Sequence, residues 1–575
     1  MTSGFSIASL LNAPDTSSST STSNTPADQP FWQVPQTEVP AWEPLAPSEV
    51  LRRFHDDAHV SAETRAVVAC YFDYYYSICP MFHPASFLSR LVQGKVGVFL
   101  LDVMRARTAR VLGQLAADGA QMLDSLVERI NRQLLAGIER PTVDYVQAVV
   151  LATTLSGGEF RFMAYNALAA LASSMVCKLG WHTADLHVLG TTAAVAEDMA
   201  WREWLALEGK RRLFWVVYQM DAYQALLSDR PMSISDDRVF VRLVRWHPSW
   251  DDVGRLQPEA RQLTAVDATA PDSDEILRTG AVSCAFHAMV TLATCYSQLN
   301  ALLWSIRRRT RPTDMQSFQP AMDEEDALHI KDSLMELAEF RRMHERFVQW
   351  KRALVPIDGL RAVARPLEHF SQFGSLPHRQ YMLRVRYFCL RCYNVPSMLL
   401  LHLANRPSFY GGSAAPADAS FAGAGAFLGP PYADNGDLIR ALLASSFSAS
   451  INDSLLATDV HAASWTVCLE AIDDMHLFLE ANDDIPADRY DQVVQVALFL
   501  AITVLVRHVC TGRAQDPQHA RRFDAAWSAQ AMRGLWARLQ LLGHVGGAAG
   551  MEALLRKMHV DEVADAAAAL AGLAL

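Results

Sequence analysis

The sequence lacks two features with which many proteins bind DNA directly: a cysteine-rich module and an excess of basic residues. Its nine cysteines are scattered through apolar stretches, and the CxxC pair Cys389 and Cys392 has no second pair at zinc-binding spacing. The formal net charge is −11, whereas phosphate neutralisation requires clustered cations. We therefore expect no zinc and no other cofactor, and direct DNA binding is doubtful.

Catalytic motifs are lacking as well. The sequence contains no Gly-rich phosphate loop, nucleophile elbow or His-Glu-x-x-His motif. The acidic pairs Asp473-Asp474 and Asp483-Asp484 lack the spaced carboxylates of a magnesium site, so we expect exposed helix and turn residues there. Three isolated histidines are expected to be hydrogen-bonded core residues: His83, His182 and His402. We predict that the chain is not an enzyme, with an all-helical metal-dependent enzyme as the alternative of that class.

Signals for secretion or membrane insertion are also absent. The N-terminus has no basic start and only a brief apolar run. Residues 279–306 carry no Asp, Glu, Lys or Arg but contain too many other polar side chains for a bilayer, and residues 493–506 are too few to cross one. We predict a buried helix for the first segment and no membrane partner.

Most of the sequence has apolar residues at the spacing of an α-helix. Hydrophobic residues make up 51% of the chain and charged residues 20%, and no strand alternation or fixed repeat interrupts the helical pattern. A chain of 575 residues exceeds what one core usually supports. We predict an all-α fold with helical lobes at 48–264 and 265–575, a disordered N-terminal segment at 1–47 and a flexible Gly/Ala/Pro-rich insertion at 407–437.

The segment 208–237 is the most informative part of the chain. It predicts a helix that is apolar over most of its circumference, with Phe214 and Asp221 on one stripe. Because such a helix lies inside an all-helical domain, a carboxylate on its inner side needs a cation. Arg230 follows the helix end, where Pro231 prevents further helix. We predict that Arg230 folds back onto Asp221.

A family resemblance becomes visible in these residues: Arg211, Arg212, Phe214, Trp215, Asp221, Arg230 and Pro231. A short basic run, Phe-Trp, an Asp on the same helix, then Arg-Pro and an acidic turn together resemble the signature of the fungal-specific transcription factor regulatory domain, the middle homology region of fungal zinc-cluster regulators. Three further segments resemble that family: an aromatic entry at 71–91, a small-residue helix ending in Leu-Gly-x-His at 167–185, and a later helix at 383–409. The resemblance covers 48–510.

The resemblance implies a nuclear transcription regulator of a metabolic or secondary-metabolite gene set. In the family this domain restrains activator or repressor function and in some members responds to small metabolites, so a small-metabolite effector is an expected partner. The family's DNA-binding module is a Cys-dense zinc cluster with a basic linker, and this sequence contains neither. The chain is therefore expected to act through a DNA-bound transcription factor, co-repressor or co-activator, unless its gene model lacks a first exon that encodes the module.

An amphipathic island near the N-terminus is a candidate docking motif, with these anchors: Phe5, Ile7, Leu10 and Leu11. It resembles the short peptides by which some transcription factors recruit co-repressors, and such peptides dock as helices in a groove. The alternative is a segment that packs on its own domain.

A basic run follows the long uncharged helix and is a candidate nuclear import signal: Arg307, Arg308, Arg309 and Arg311. Cations are also favoured at a helix C-terminus by the helix dipole, and we prefer that structural interpretation. A non-transcriptional helical scaffold or adaptor is the rival hypothesis for the whole chain. Such a protein would be cytoplasmic, and its loss would leave transcript levels unchanged.

Overall fold

A computed structural model describes residues 45–109, 111–112, 132, 139, 141–158, 162–186, 201–227, 230–244, 250, 282–310, 338–354, 376–403, 459–485, 490, 492–511 and 523–541. Within these ranges the regular structure is helical and no strand is formed. The all-α prediction is confirmed. The insertion predicted at 407–437 and all but the last residues of the segment 1–47 lie outside the described ranges.

The α-helices within the described ranges are α1 (Pro47–Phe54), α2 (Ala62–Tyr74), α3 (Pro84–Val92), α4 (Val98–Thr108), α5 (Val143–Gly158), α6 (Phe162–Lys178), α7 (Trp201–Leu227), α8 (Val282–Thr310), α9 (Ala338–Ala353), α10 (Leu376–Cys392), α11 (Asn394–Leu403), α12 (Asp459–Ala481), α13 (Gln492–Thr511) and α14 (Ala525–Leu541). Single 3₁₀ turns at Trp181–Thr183 and Asp236–Arg238 lie on either side of α7 in the chain.

Local sequence explains where several helices begin and end. The Oγ of Ser61 accepts the backbone N–H of Thr64 and caps α2. The Nδ1 of His83 accepts the N–H of Ser86 at 3.2 Å and caps α3, whose first residue is proline. After α6 the chain reverses at Gly180, where φ is +69°, a conformation that glycine adopts without strain.

Most of the buried apolar side chains in the described ranges belong to one cluster that runs from Val50 to Leu539. Helix α7 lies well inside it and packs on α5, α6 and α8, while α8 also packs on α9 and α10. The boundary predicted between 264 and 265 falls outside the described ranges, so the division into two lobes stays a prediction. The arrangement places α7 where few of its side chains reach water.

The two long uncharged segments are both parts of buried helices. The described side chains of 282–300 on α8 are buried or half-buried, as are those of α13, so the predicted buried helix at 279–306 is confirmed within the described residues. Among the residues described, no helix combines the length and the apolar character that a bilayer crossing demands.

Candidate functional site

The central turns of α7 are enclosed on every side. All eight residues from Arg211 to Tyr218 are buried, so this stretch has no solvent-facing stripe. Two arginines and a glutamate lie within it or next to it. Charged groups in such a place need partners, because an unpaired buried charge is strongly unfavourable.

Four charged side chains at the start of this enclosed stretch pair with one another. The Nε of Arg211 donates to Asp185 Oδ2 at 2.9 Å, and its Nη2 donates to Oδ1 of the same carboxylate. Glu208 lies 3.4 Å from Arg211 Nη1 and accepts Nε of Arg212 at 3.0 Å. Asp185 also accepts the backbone N–H of Arg242 at 2.8 Å. Two anions balance two cations, so the cluster is neutral.

Arg212 is fully buried and is held from three directions. Besides its bond to Glu208, it donates through Nη2 to the hydroxyl of Ser283 on α8 at 3.0 Å. Its guanidinium carbon lies 4.1 Å from the ring centre of Trp250, a cation–π distance. Trp250 in turn meets the capping residue His83 edge to face. Arg212 therefore joins α7 to α8 and to the residues that follow the return segment.

The electrostatics of Asp185 fit this pairing. Burial acts to raise the pKa of its carboxyl, but the hydrogen bonds from Arg211 and from the Arg242 N–H outweigh burial, and the pKa lies below its usual value. Asp185 stays ionised in the interior. The charge of Asp185 thus fixes both α7 and the chain that returns past it.

A second carboxylate on α7 holds the exit of the helix. Asp221 is fully buried, and its Oδ1 accepts Nη2 of Arg230 at 2.8 Å. Its Oδ2 accepts the backbone N–H of Ser233 at 2.7 Å and of Ile234 at 2.8 Å. The predicted ion pair between Asp221 and Arg230 is confirmed. The two backbone bonds were not predicted, and they make Asp221 the anchor of residues 233–234.

Arg230 is less enclosed than its partner. Its side chain is 26% exposed, so the expectation of a buried guanidinium is wrong. The reason is Pro231, which turns the chain outward and is itself exposed. Arg230 also donates to Gln224 Oε1, to its neighbouring carbonyl at Pro231 and to Ser233 Oγ. It closes the turn over a carboxylate that lies deeper.

The return segment 230–244 is tied to α7 by aromatic donors. The indole N–H of Trp215 donates to the carbonyl of Arg242 at 2.9 Å. The hydroxyl of Tyr218 donates to Asp236 at 2.6 Å, and the hydroxyl of Ser297 on α8 donates to the other oxygen of Asp236 at 2.7 Å. Burial raises the pKa of Tyr218, so its hydroxyl remains a donor. The acidic turn after Arg-Pro therefore bridges two helices.

Residues 68–352 match the family profile described as the fungal specific transcription factor domain. The chain belongs to that family. The enclosed helix α7, its charge cluster and the return segment all lie inside the matched residues. Of the four segments that resemble the family, those at 71–91, 167–185 and 208–237 lie within the match, whereas 383–409 lies beyond it.

A curated relative is similar to part of this fungal transcription factor domain protein. This relative is Transcription factor AN6788 from Emericella nidulans. It is 28% identical to this chain over 176 residues, which make up 30% of this chain and 26% of the relative. The chain thus matches about a quarter of that relative's length. No solved structure matches the chain.

The structure describes some of the other predicted site residues but not all of them. Phe214 is buried and meets Trp215 and Tyr218 through its ring. The docking anchors Phe5, Ile7, Leu10 and Leu11 lie outside the described residues, as does Arg311. Arg307, Arg308 and Arg309 belong to the last turns of α8. This position agrees with the structural interpretation of the basic run, and the import function stays a prediction.

Two expectations about polar residues need correction. His402 is a buried, hydrogen-bonded residue as predicted, and its Nε2 lies 3.1 Å from Nδ1 of His344 on α9. His182 is only half-buried, and its Nδ1 has no hydrogen-bond partner within the described ranges. Asp474, Asp483 and Asp484 are exposed as expected. Asp473 is instead buried, because it accepts the indole N–H of Trp527 at 2.7 Å.

Sequence reasoning missed Asp185, Asp236 and Ser283 as partners of α7. A signal was available for the first, since it closes the small-residue segment 167–185 as an acid after an apolar helix. The structure was also searched for clusters of side chains that could bind a metal ion. Within the described ranges no three His, Cys, Asp or Glu side chains converge as metal ligands do, and Cys389 and Cys392 are both buried in α10.

Proposed function

We propose that this fungal transcription factor domain protein is a nuclear regulator of a metabolic gene set that acts through a DNA-bound partner. Family membership carries the transcriptional part of the proposal. The relative's name, Transcription factor AN6788, agrees with it. The partner is inferred because the sequence contains no zinc cluster and its net charge is −11.

The geometry of α7 supports a regulatory body rather than a DNA-reading element. A helix that reads DNA exposes its basic residues to the groove or the phosphates. Arg211 and Arg212 instead face Asp185, Glu208 and Trp250 inside the protein. Their charges are used within the fold, so the basic start of α7 is not available to nucleic acid.

A tethering experiment tests the regulatory activity directly. The full chain is fused to an unrelated sequence-specific DNA-binding module, and a reporter gene with the matching site is measured in a fungal host. We expect the fusion to change reporter expression in comparison with the module alone. An unchanged reporter, together with unchanged transcripts in a deletion strain and a cytoplasmic location, would establish the scaffold or adaptor instead.

The partner dependence needs its own test. Chromatin association of the native chain is mapped by immunoprecipitation in strains that carry or lack its co-purifying DNA-binding proteins. We expect the occupied sites to disappear with one such protein. Sequence-specific binding of isolated DNA by the purified chain alone would refute the partner mechanism but not the regulatory function.

A further inference from the structure

The outward face of α9 is a row of arginines. The exposed positions of this helix form one continuous strip of its surface, and the members of that strip are Arg341, Arg342, Glu345, Arg346, Gln349, Arg352 and Ala353. Four arginines and one glutamate thus face solvent together. We call these four arginines the arginine face of α9.

The opposite side of α9 explains why the arginines must point outward. Met343, Phe347 and Trp350 are buried against α8 and α11, and the indole N–H of Trp350 donates to the carbonyl of Ala288 at 2.8 Å. These residues recur with the helical period, so the helix cannot rotate without exposing them. The arginine face is consequently a fixed surface.

The charges of this face have no opposite charge as a partner among the residues that the structure describes. None of the four arginines forms an ion pair or hydrogen bond with any residue in the described part of the chain. Lys351, on the flank of the strip, does pair with Asp474 of α12. In a protein whose net charge is −11, four exposed guanidinium groups on one helix, none of them paired with a described residue, are available for an external anion.

The topology adds further basic sequence at one end. Trp350 meets Ala288 and Phe347 meets Tyr296, so α8 and α9 run antiparallel. The beginning of α9, with Arg341, therefore lies toward the end of α8, where the backbone of residues 307–309 carries the arginine run. Two basic segments that are distant in sequence share one end of the helix pair.

We propose that the arginine face of α9 contacts the phosphate backbone of duplex DNA. From position 341 to 352 an α-helix extends about 16 Å, and a DNA duplex presents a phosphate charge roughly every 1.7 Å along its axis. Guanidinium groups bind phosphate oxygens through paired N–H donors. Backbone contacts of this kind position a protein without reading sequence.

A protein partner fits this face less well. Protein interfaces derive most of their affinity from a few anchors, most often Trp, Tyr and Arg, and the arginines among them act within well-packed pockets from which water is excluded. No exposed large apolar side chain within the described ranges lies on α9; those that do occur are Leu51, Val98, Leu186, Phe240, Leu243, Leu477 and Leu541. A surface of guanidinium groups without apolar anchors matches phosphates.

The expected contact is weak, and its role rests on the proposed function. The net negative charge of the chain opposes approach to DNA. A DNA-bound partner would raise the local concentration and turn the weak contact into an intramolecular one. The arginine face would then orient the regulator on the duplex next to its partner.

The dependence of DNA affinity on salt concentration measures how many phosphates the arginine face contacts. Binding of the purified full chain to a fluorescent duplex of arbitrary sequence is followed by anisotropy between about 50 and 200 mM salt, where each neutralised phosphate contributes about 0.9 to the slope of log K against log salt. We expect a slope of about −3 to −4 and no preference for sequence. Absence of binding at about 50 mM salt overturns the proposal.

Matched variants locate the contact. Arg342→Ala with Arg346→Ala is expected to weaken binding and to make the slope shallower by about two. The control, Arg52→Ala with Arg238→Ala, removes the same charge from exposed residues outside α9 and should leave the slope unchanged. Equal effects of the two double variants would mean that only net charge matters, which overturns the assignment.

A gain of function guards against misfolding as an explanation. Glu345 lies within the strip, so Glu345→Lys should strengthen DNA binding and steepen the slope by about one. If the α9 variants abolish capture of a DNA-binding partner but leave the slope unchanged, the face binds protein and the proposal is wrong. The tethered reporter reads the proposed function separately, because the fused module supplies the DNA contact.

Discussion

Replacement of Asp221 by alanine tests how the exit of α7 is held. The buried carboxylate accepts hydrogen bonds from Arg230 and from the N–H groups of Ser233 and Ile234, at 2.8, 2.7 and 2.8 Å. Truncation leaves the N–H of buried Ile234 without its acceptor, and each such group costs about 1–3 kcal/mol. The lost hydrogen bond between Arg230 and the carboxylate adds about 1.5–3 kcal/mol, so we expect the free energy of unfolding to fall by about 3–5 kcal/mol in total.

Arg230→Ala should cost less than Asp221→Ala. Because Arg230 is 26% exposed, its removal opens a path for water to the carboxylate, which keeps its two backbone N–H bonds. We expect a loss of about 1.5–3 kcal/mol, the range for one hydrogen bond to a charged group. The double variant should show a coupling energy of about 0.5–3 kcal/mol.

Urea unfolding, followed by both tryptophan fluorescence and circular dichroism, gives these free energies where the two transitions coincide. Amide hydrogen exchange of the peptide that contains Ile234 gives an independent measure, and Asp221→Ala should accelerate it more than Arg230→Ala does. Asp221 is not the anchor of residues 233–234 if Arg230→Ala is the more damaging change, or if this peptide exchanges in Asp221→Ala as it does in the wild type.

Three further predictions concern other helices. Gly534→Ala should lower the free energy of unfolding by about 1–3 kcal/mol, since a Cβ there would lie 2.7 Å from Cε1 of His476. In a His476→Ala background the same change should no longer lower the urea midpoint, and stabilisation by Gly534→Ala alone would disprove the clash. Burial, and to a smaller extent the nearby His344, lower the pKa of His402 to about 3. The contribution of the neutral His402 ring to the free energy of unfolding should be complete above pH 6.5, the usual pKa of histidine. Below pH 6.5 the free energy of unfolding should decrease by up to about 1.4 kcal/mol per pH unit. His402→Gln should flatten that dependence, and an unchanged pH profile would contradict the burial of a neutral ring. His83→Ala removes the cap of α3 and should cost about 0.5–2 kcal/mol in thermal unfolding, whereas His83→Asn should retain most of it.

The sequence allowed part of the site to be predicted because that part is local. Asp221 and Arg230 are nine residues apart, and helical spacing with Pro231 leaves the arginine little choice of direction. The all-α fold followed in the same way from apolar periodicity. Capping of α3 by His83 is also local, but histidine is not among the usual capping residues, and the sequence predicts only a hydrogen-bonded core residue there.

The remaining partners could not be predicted because they depend on how helices pack. Asp185 and Arg211 are 26 residues apart, and Arg212 and Ser283 are 71 apart. No rule of spacing relates such positions. The pair His344 and His402, 58 residues apart, requires α9 and α11 to be neighbours. Burial itself is a tertiary quantity, which is why Arg230 was expected to be enclosed.

The contrast between α7 and α9 shows what decides the role of a basic doublet. Arg211 and Arg212 precede an unbroken apolar run, so every direction around the helix leads into the core and their charges must be met by internal acids. Arg341 and Arg342 are followed by apolar residues only at helical intervals, such as Phe347, and these occupy the inner side alone. The same residue types are therefore structural in one helix and available to phosphate in the other, and the phase of the surrounding apolar residues, rather than the charge, distinguishes the two.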